Sequence, residues 1–352
     1  MPPSSLLLRS GLPLSKGKAG ATSVEEMTAP RVAILKGPIE RSEFRTFLRK
    51  IISDNDVNER DIDTVFDRFD KDADNVLSEL ETDSVNRFLI SAINDLRTAI
   101  IVVDFQNDFV SGSLAIGKGG AKQNPTEALA PLNRLLTTAP SFDTIIYTLD
   151  WHPSNHISFY EHCRNSDRTL ALSDRQRKLK PFDTVTFETP VLTQRLYPRH
   201  CVQKSWGAEL SANLIIAEDA KYIHKGFEVY VDSYSAFYNN NKTQRSDLEQ
   251  MLRSENINAV FVCGLAHDIC VAATAHDALD LGFLTAVVED CSKGLDISDI
   301  ENANKTLSYK QCAIIDSDVV QAFLKSHKVP WPWVAKMCGV KSGSSNGITI
   351  NH

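Results

Sequence analysis

Apolar residues change their spacing along this 352-residue chain near Thr98. Before it they recur every three or four positions: Phe44, Phe47, Leu48 and Ile51, then Val65, Phe66 and Phe69, then Leu80, Val85, Phe88 and Leu89. That spacing gives each of three helices one apolar face. Strand-like runs are scarce over Arg41–Ile93, so this part reads as a small all-α domain. After Thr98, unbroken apolar, β-branched runs appear at Ala99–Val103, Thr144–Leu149, Ala259–Cys263 and Leu284–Val288, with a shorter strand at Lys221–Ile223. Helical stretches lie between them, at Thr126–Leu136, Asp247–Arg253 and Ile269–Leu281. Strands apolar on both faces, alternating with helices, predict a parallel α/β sheet flanked by helices. In such sheets chemistry gathers at the carboxyl ends of the strands. Asp104, Asp150 and the loop before Cys270 fall there.

The same pattern sets domain limits. Residues 1–37 read as a flexible tail, 38–95 as the helical domain, 97–328 as the α/β domain and 329–352 as a loose tail rich in Pro, then Gly, Ser and Asn. Trp151–Trp206 is long and irregular, which marks a functional connection rather than a plain turn.

Composition narrows the function. Hydrophobic residues make up 42% of the chain and the formal net charge is -7. That supports a packed core and argues against nucleic acid as the main partner. No apolar run reaches the ~18 residues of a membrane helix, so no membrane partner is expected. Seven cysteines with no C-x-x-C pair point to a reducing compartment, not a disulfide scaffold. The first residues carry Arg9, Lys16 and Lys18 and no acid before Glu25, but Pro2, Pro3 and Pro13 interrupt any long amphipathic helix. Read as a tail, they leave the protein cytoplasmic, with access to the nucleus; read as a presequence, they make it mitochondrial. A homo-oligomer is compatible with the sequence, which does not specify one.

The stretch Asp70–Glu81, DKDADNVLSELE, fits the 12-residue EF-hand loop. Its oxygen ligands for calcium would be Asp70, Asp72, Asp74, the Val76 carbonyl, Ser78 and a bidentate Glu81. Four carboxylates so close together repel one another unless a cation joins them. The sixth position, normally Gly because φ is positive there, is Asn75, the residue next most tolerant of that conformation.

Four stretches carry the remaining chemistry. Asp104 ends the first strand and suits a general base, although a lone Asp there also caps helices. Lys225 follows the short strand at Lys221–Ile223 and, near a thiol and a carboxylate, would hold both as anions. Cys270 follows a tight loop at the start of a small-residue helix, where the helix dipole would lower its pKa. The backbone N–H groups of Ala266 and Cys270 would serve an oxyanion. Asp150 and His152, two apart on extended chain, point to one side. With His156 and His200 in the same irregular segment they make an incomplete ligand set, the mark of a catalytic site for a divalent transition metal.

Together D-F-Q-N-D-F at Asp104, D-W-H-P-S-N-H at Asp150, Y-P-R-H-C-V at Tyr197, K-G-F-E-V-Y-V-D-S-Y-S-A-F at Lys225 and G-L-A-H-D-I-C at Gly264 resemble the nicotinamidase/pyrazinamidase family of isochorismatase-like cysteine hydrolases. The resemblance runs from about Thr98 to Leu324. It implies a three-layer α/β/α fold and the hydrolysis of nicotinamide to nicotinate and ammonia in NAD salvage. It implies a triad of Asp104, Lys225 and Cys270, with a thioester on Cys270. It also implies metal ligands Asp150, His152 and His200, with His156 a ligand in only some members. Zinc is the first choice of metal, with manganese or iron as alternatives. The metal would face the pyridine nitrogen, and Phe109, Tyr197 and Tyr234 would wall the ring. A cis peptide is implied at Leu265–Ala266. The competing readings are another small-amide hydrolase of this fold, acting on N-carbamoyl or ureide groups, and a calcium-binding scaffold with a silent hydrolase domain.

Overall fold

A computed structural model describes residues 31–341 of the chain. Six strands form the central sheet: β1 (Thr98–Val103), β2 (Thr144–Asp150), β3 (Lys221–Lys225), β4 (Ala259–Leu265), β5 (Leu284–Lys293) and β6 (Ala313–Ile315). They lie in the order β6-β5-β4-β1-β2-β3, and every pairing is parallel. All six residues of β1 are buried. Ile100 and Val102 pack into one core cluster, while Ala99, Ile101 and Val103 pack into another on the opposite face. Helices therefore cover both faces, as the unbroken apolar runs predicted. The chain winds outward from β1 through β2 to β3, then returns to place β4 on the other side of β1. That reversal opens a crevice at the carboxyl ends of β1 and β4, where ligands bind in folds of this kind.

The N-terminal segment forms helices at Arg41–Ile51, Glu59–Phe69 and Glu79–Asn94, the last with a π-turn over Asn86–Ile90. Phe44, Leu48, Ile62, Val65 and Phe66 are fully buried between the first two. Leu80 and Phe88, expected on the inner face of the third helix, point outward instead.

Both expected tails need correction over their described parts. The tail expected at 1–37 lies partly outside the described residues. Within them, Val32 and Leu35 donate backbone N–H groups to Asn94 and Asn86, each at 2.8 Å, and both Asn amides donate back at 2.9 Å. The stretch from Val329 to Lys341 is not loose either. It carries a helix, Trp331–Cys338, with Pro332 in its first turn, where proline is pre-set for helix and loses no needed N–H. Trp333 is fully buried against Phe261 and Phe323 and donates its indole N–H to the Thr285 carbonyl at 2.9 Å. Val329 exchanges backbone hydrogen bonds with Ile51 and Ser53, and Asp54 accepts from the Trp331 N–H at 2.6 Å. The C-terminal helix thus joins the N-terminal segment to the sheet. Trp333→Ala is expected to cost about 3–5 kcal/mol of stability, read by urea unfolding, because it empties a fully enclosed site and orphans a carbonyl.

The irregular stretch also contains structure that the pattern did not predict. Thr169–Leu170, Thr184–Thr189 and Val191–Arg195 form a small antiparallel sheet over its own apolar cluster, centred on Leu170, Val185 and Phe187. Among the described residues no helix is long and apolar enough to cross a membrane, and all seven cysteines are free and buried.

Candidate active site

Each predicted catalytic side chain sits at the carboxyl end of a sheet strand. Asp104 follows β1, Asp150 and Lys225 end β2 and β3, and Cys270 follows β4 in the turn His267–Val271. Lys225 Nζ is their meeting point. It lies 2.8 Å from Asp104 Oδ2 and 3.5 Å from Cys270 Sγ, forms an ion pair with Asp150, and donates to the Ser233 carbonyl at 2.9 Å. Lys225 is 3% exposed and Asp104 not at all, so the charges act without solvent screening. Thr148 donates to Asp104 Oδ1 at 2.6 Å and fixes its plane.

Burial and two neighbouring charges divide the roles. Burial pushes the Asp104 carboxyl up to about 6, although Lys225 pulls it down. For Asp150, burial is outweighed chiefly by Lys225 and His152, and its carboxyl is held below the ordinary range. Burial works against the Lys225 ammonium, but Asp104 and Asp150 keep its pKa above its ordinary value. Cys270 departs from the sequence expectation. Burial raises its thiol well above the ordinary value, and Lys225 offsets only part of this. The turn that carries it is a π-turn before the helix Ala272–Asp280, and burial of the sulfur there disfavours its charged form. Burial thus favours a thiol beside a base over a standing thiolate. The Leu265–Ala266 peptide is cis, and Ala266 caps the turn.

On the far side of Lys225, one oxygen or nitrogen atom each from Asp150, His152 and His200 lies within 4.8 Å of the others. His152 Nδ1 is 2.7 Å from the Gly226 carbonyl and His200 Nδ1 is 2.8 Å from the Pro198 carbonyl. Those contacts place a ring proton on each Nδ1 and aim both Nε2 atoms at Asp150 Oδ2, at 3.5 and 3.9 Å. His152 Nε2 is buried and has no hydrogen-bond partner. Burial, with help from His152, pushes His200 down to about 4, so its imidazole is neutral. Two convergent imidazole nitrogens and a carboxylate, all buried, fit a divalent transition metal. Gly226 is required here: its φ is +66°, and a Cβ would lie 2.5 Å from His152 Cε1.

His156 stacks on His152 with 4.1 Å between ring centroids, and its nitrogens face Ser158 Oγ at 2.7 Å and the Val231 carbonyl at 3.3 Å. It groups with His152 and Asp232 rather than with Asp150 and His200. Of the expected ring walls, Phe109 and Tyr197 lie 5.5 and 5.7 Å from the His200 ring, and Tyr234 meets Tyr197 at 6.4 Å. The sequence reading missed Phe159, fully buried and 5.6 Å from each of His152, His156 and His200. It also missed Asp108, which accepts from the Cys201 N–H at 2.7 Å and so sets the loop holding His200. Asp232 lay inside a quoted motif without being singled out.

In the predicted calcium loop, Asn75 has φ +68° and Val76–Leu77 pairs antiparallel with Ile39–Glu40. Carboxylate oxygens of Asp70, Asp72 and Glu81 lie within 4.8 Å of one another, and buried Asp70 Oδ1 has no partner. Asp74 and Ser78 are turned to local bonds. Asp74 accepts from the Val76 N–H at 2.8 Å, and Ser78 donates to Glu81 at 2.8 Å.

Similarity to known proteins agrees with the sheet and crevice. A family model described as the isochorismatase domain matches residues 98–319. A nicotinamidase of Escherichia coli K12 is 35% identical over 208 residues, 58% of this chain and 87% of that one. One from Acinetobacter baylyi is 38% identical over 201 residues, 57% and 83% of the two chains. A solved Acinetobacter baumanii nicotinamidase/pyrazinamidase is 34% identical, covers 64% of this chain and 98% of its own, and superposes with a TM-score of 0.55. A match over more than half the chain, with relatives covered almost end to end, is decisive: the chain belongs to the isochorismatase-domain family and is a hydrolase of its nicotinamidase branch.

Proposed function

We propose that the protein hydrolyses nicotinamide to nicotinate and ammonia, returning the ring to NAD synthesis. The observation that carries this reading is the position of Lys225 Nζ, which touches Asp104 and Cys270 on one side and Asp150 on the other. One cation thereby links a thiol–carboxylate pair to a set of metal ligands.

The carboxamide would lie against Cys270, and the ring between Phe109, Tyr197 and Tyr234. Asp104 takes the thiol proton as sulfur attacks the amide carbon. The backbone N–H groups of Ala266 and Cys270 receive the charge that builds on the carbonyl oxygen. Asp104 then passes its proton to the amide nitrogen, the C–N bond breaks, and ammonia leaves a thioester on Cys270. Asp104 next removes a proton from water as its oxygen attacks the thioester; nicotinate leaves, and the sulfur regains the proton. Lys225 remains charged throughout and stabilises whichever of its two anionic neighbours is ionised. A divalent metal held by Asp150, His152 and His200, zinc first, would act as a Lewis acid toward the pyridine nitrogen.

The test is ammonia release from nicotinamide by metal-replete and chelator-stripped protein. Turnover that depends on added metal is expected. Turnover of N-carbamoyl or ureide substrates alone, with no need for metal, would favour the other amide-hydrolase reading. A folded, metal-replete protein without turnover on either class would favour the scaffold.

The Ile39–Asn94 segment reads as an EF-hand-like unit that binds one calcium ion, a reading supported by the unpartnered Asp70 oxygen among three convergent carboxylates. Titration calorimetry of the full chain is expected to show one calcium site, lost in Glu81→Gln. Equal binding by the variant would rule the loop out.

A further inference from the structure

Arg168 is a buried cation that the chemistry above does not use. It is 5% exposed, its side chain is fully enclosed, and its Nη1 has no hydrogen-bond partner. Burying a guanidinium is costly unless its remaining bonds are well placed. Its Nη2 donates to the Asn155 carbonyl at 2.8 Å, and Nε and Nη2 grip Asp167 with two bonds of 2.9 Å. Asp167 also accepts from the Tyr230 hydroxyl at 3.2 Å, and the guanidinium lies 5.7 Å from the Tyr230 ring.

These contacts tie two segments together from outside the ligand set. Asn155 sits in the turn between His152 and His156, where the His156 N–H donates to the Pro153 carbonyl at 3.1 Å. Tyr230 lies in the strand-free segment after Lys225. There the Val229 carbonyl accepts from the Ile157 N–H at 2.8 Å, and the Val231 carbonyl faces His156. The Gly226 carbonyl, which fixes the His152 ring, begins the same segment. Gln194, from the small antiparallel sheet, braces the end of that segment through Asp232 at 3.2 Å. None of the bonds made by Arg168 reaches Cys270.

We propose that Arg168 is a positioning residue for the metal half of the site. It holds the His152–His156 turn against the segment that orients the His152 ring. The inference rests on the metal reading above. Groups that orient ligands from behind typically change metal affinity by about 10–100-fold.

The experiment measures zinc affinity of the full chain by chelator competition, for wild type, Arg168→Met and Asp167→Asn. Arg168→Met is expected to bind zinc at least about tenfold more weakly, and Asp167→Asn several-fold more weakly. In buffered excess zinc, nicotinamide turnover by both variants should return to within about twofold of wild type, a rescue that a misfolded site would not give. Wild-type affinity in both variants would overturn the positioning role while leaving the metal reading standing. Weakened turnover that excess zinc does not rescue, in variants that melt like wild type, would overturn it as well. Wild-type protein that binds no zinc would remove the metal reading and this inference together. Asp167→Asn, with its site partly at the surface, keeps the test valid should Arg168→Met fail to fold.

Discussion

Cys270→Ala is expected to lower nicotinamide turnover by at least about 10⁴-fold while leaving metal content and thermal melting close to wild type. The size follows from the role: without sulfur there is no thioester, and the remaining groups can only polarise the amide. The small stability cost follows from the local packing. Cys270 is a small buried side chain whose polar contacts include Lys225 and Asp104, and Lys225 keeps Asp104, Asp150 and the Ser233 carbonyl. Cys270→Ser adds a sharper comparison, since it retains a hydroxyl at nearly the same point beside the same base. An alkoxide is far harder to form than a thiolate, so this variant should also be nearly inactive. Ammonia release in steady state measures both. Trapping of a mass-shifted acyl adduct during turnover should occur in wild type only. Substantial turnover by Cys270→Ala would mean that water attacks the amide directly, and Cys270 would then be a structural cysteine.

The sheet was legible because its strands are buried on both faces. Ala99–Val103 and Ala259–Cys263 read as unbroken apolar runs since no residue in them meets water. The small antiparallel sheet was not, for the opposite reason. Thr184–Thr189 alternates exposed and buried positions but carries Thr and Glu on its outer face, and its apolar partners Ile157, Cys163 and Leu179 are scattered along the chain. β6 has only three residues, too few for any period to register. The helix Trp331–Cys338 was hidden by Pro330 and Pro332, although proline in a first helical turn is a start signal as well as a breaker. In the site, Asp104, Asp150, Lys225 and Cys270 were legible through the motifs around them and the family these resemble; place at a strand or helix end alone left each of them open. Arg168, Gln194 and Asp232 were not, since each is a lone polar residue in irregular chain that acquires a role only through contacts distant in sequence. The thiol's pKa was misjudged because a helix start can be read from sequence, whereas the degree of desolvation that opposes it cannot.

Asp104→Asn tests the consequence of that raised thiol pKa. Asparagine is nearly isosteric, and its side-chain oxygen can still accept the Thr148 hydroxyl, so the backbone with φ +46° at this position should hold. What is lost is the carboxylate assigned to take the proton of a thiol that burial holds toward its neutral form. General-base removal typically costs about 10²–10⁴-fold, and the upper end is expected here because the same carboxylate serves both the attack and the departure of ammonia. The pH profile separates this from a packing defect. In wild type the carboxylate must be ionised to accept the proton, and burial places its pKa at about 6. Wild-type kcat/KM should therefore fall as pH drops below about 6 and level off above it. In Asp104→Asn the thiol has lost that acceptor and must ionise to solvent before attack, so the residual rate should keep climbing with pH, about tenfold per unit, through the range where wild type is flat. A variant profile that runs parallel to wild type at any level of activity would show that Asp104 is not the proton acceptor. The base would then have to be sought among groups on the metal side of Lys225.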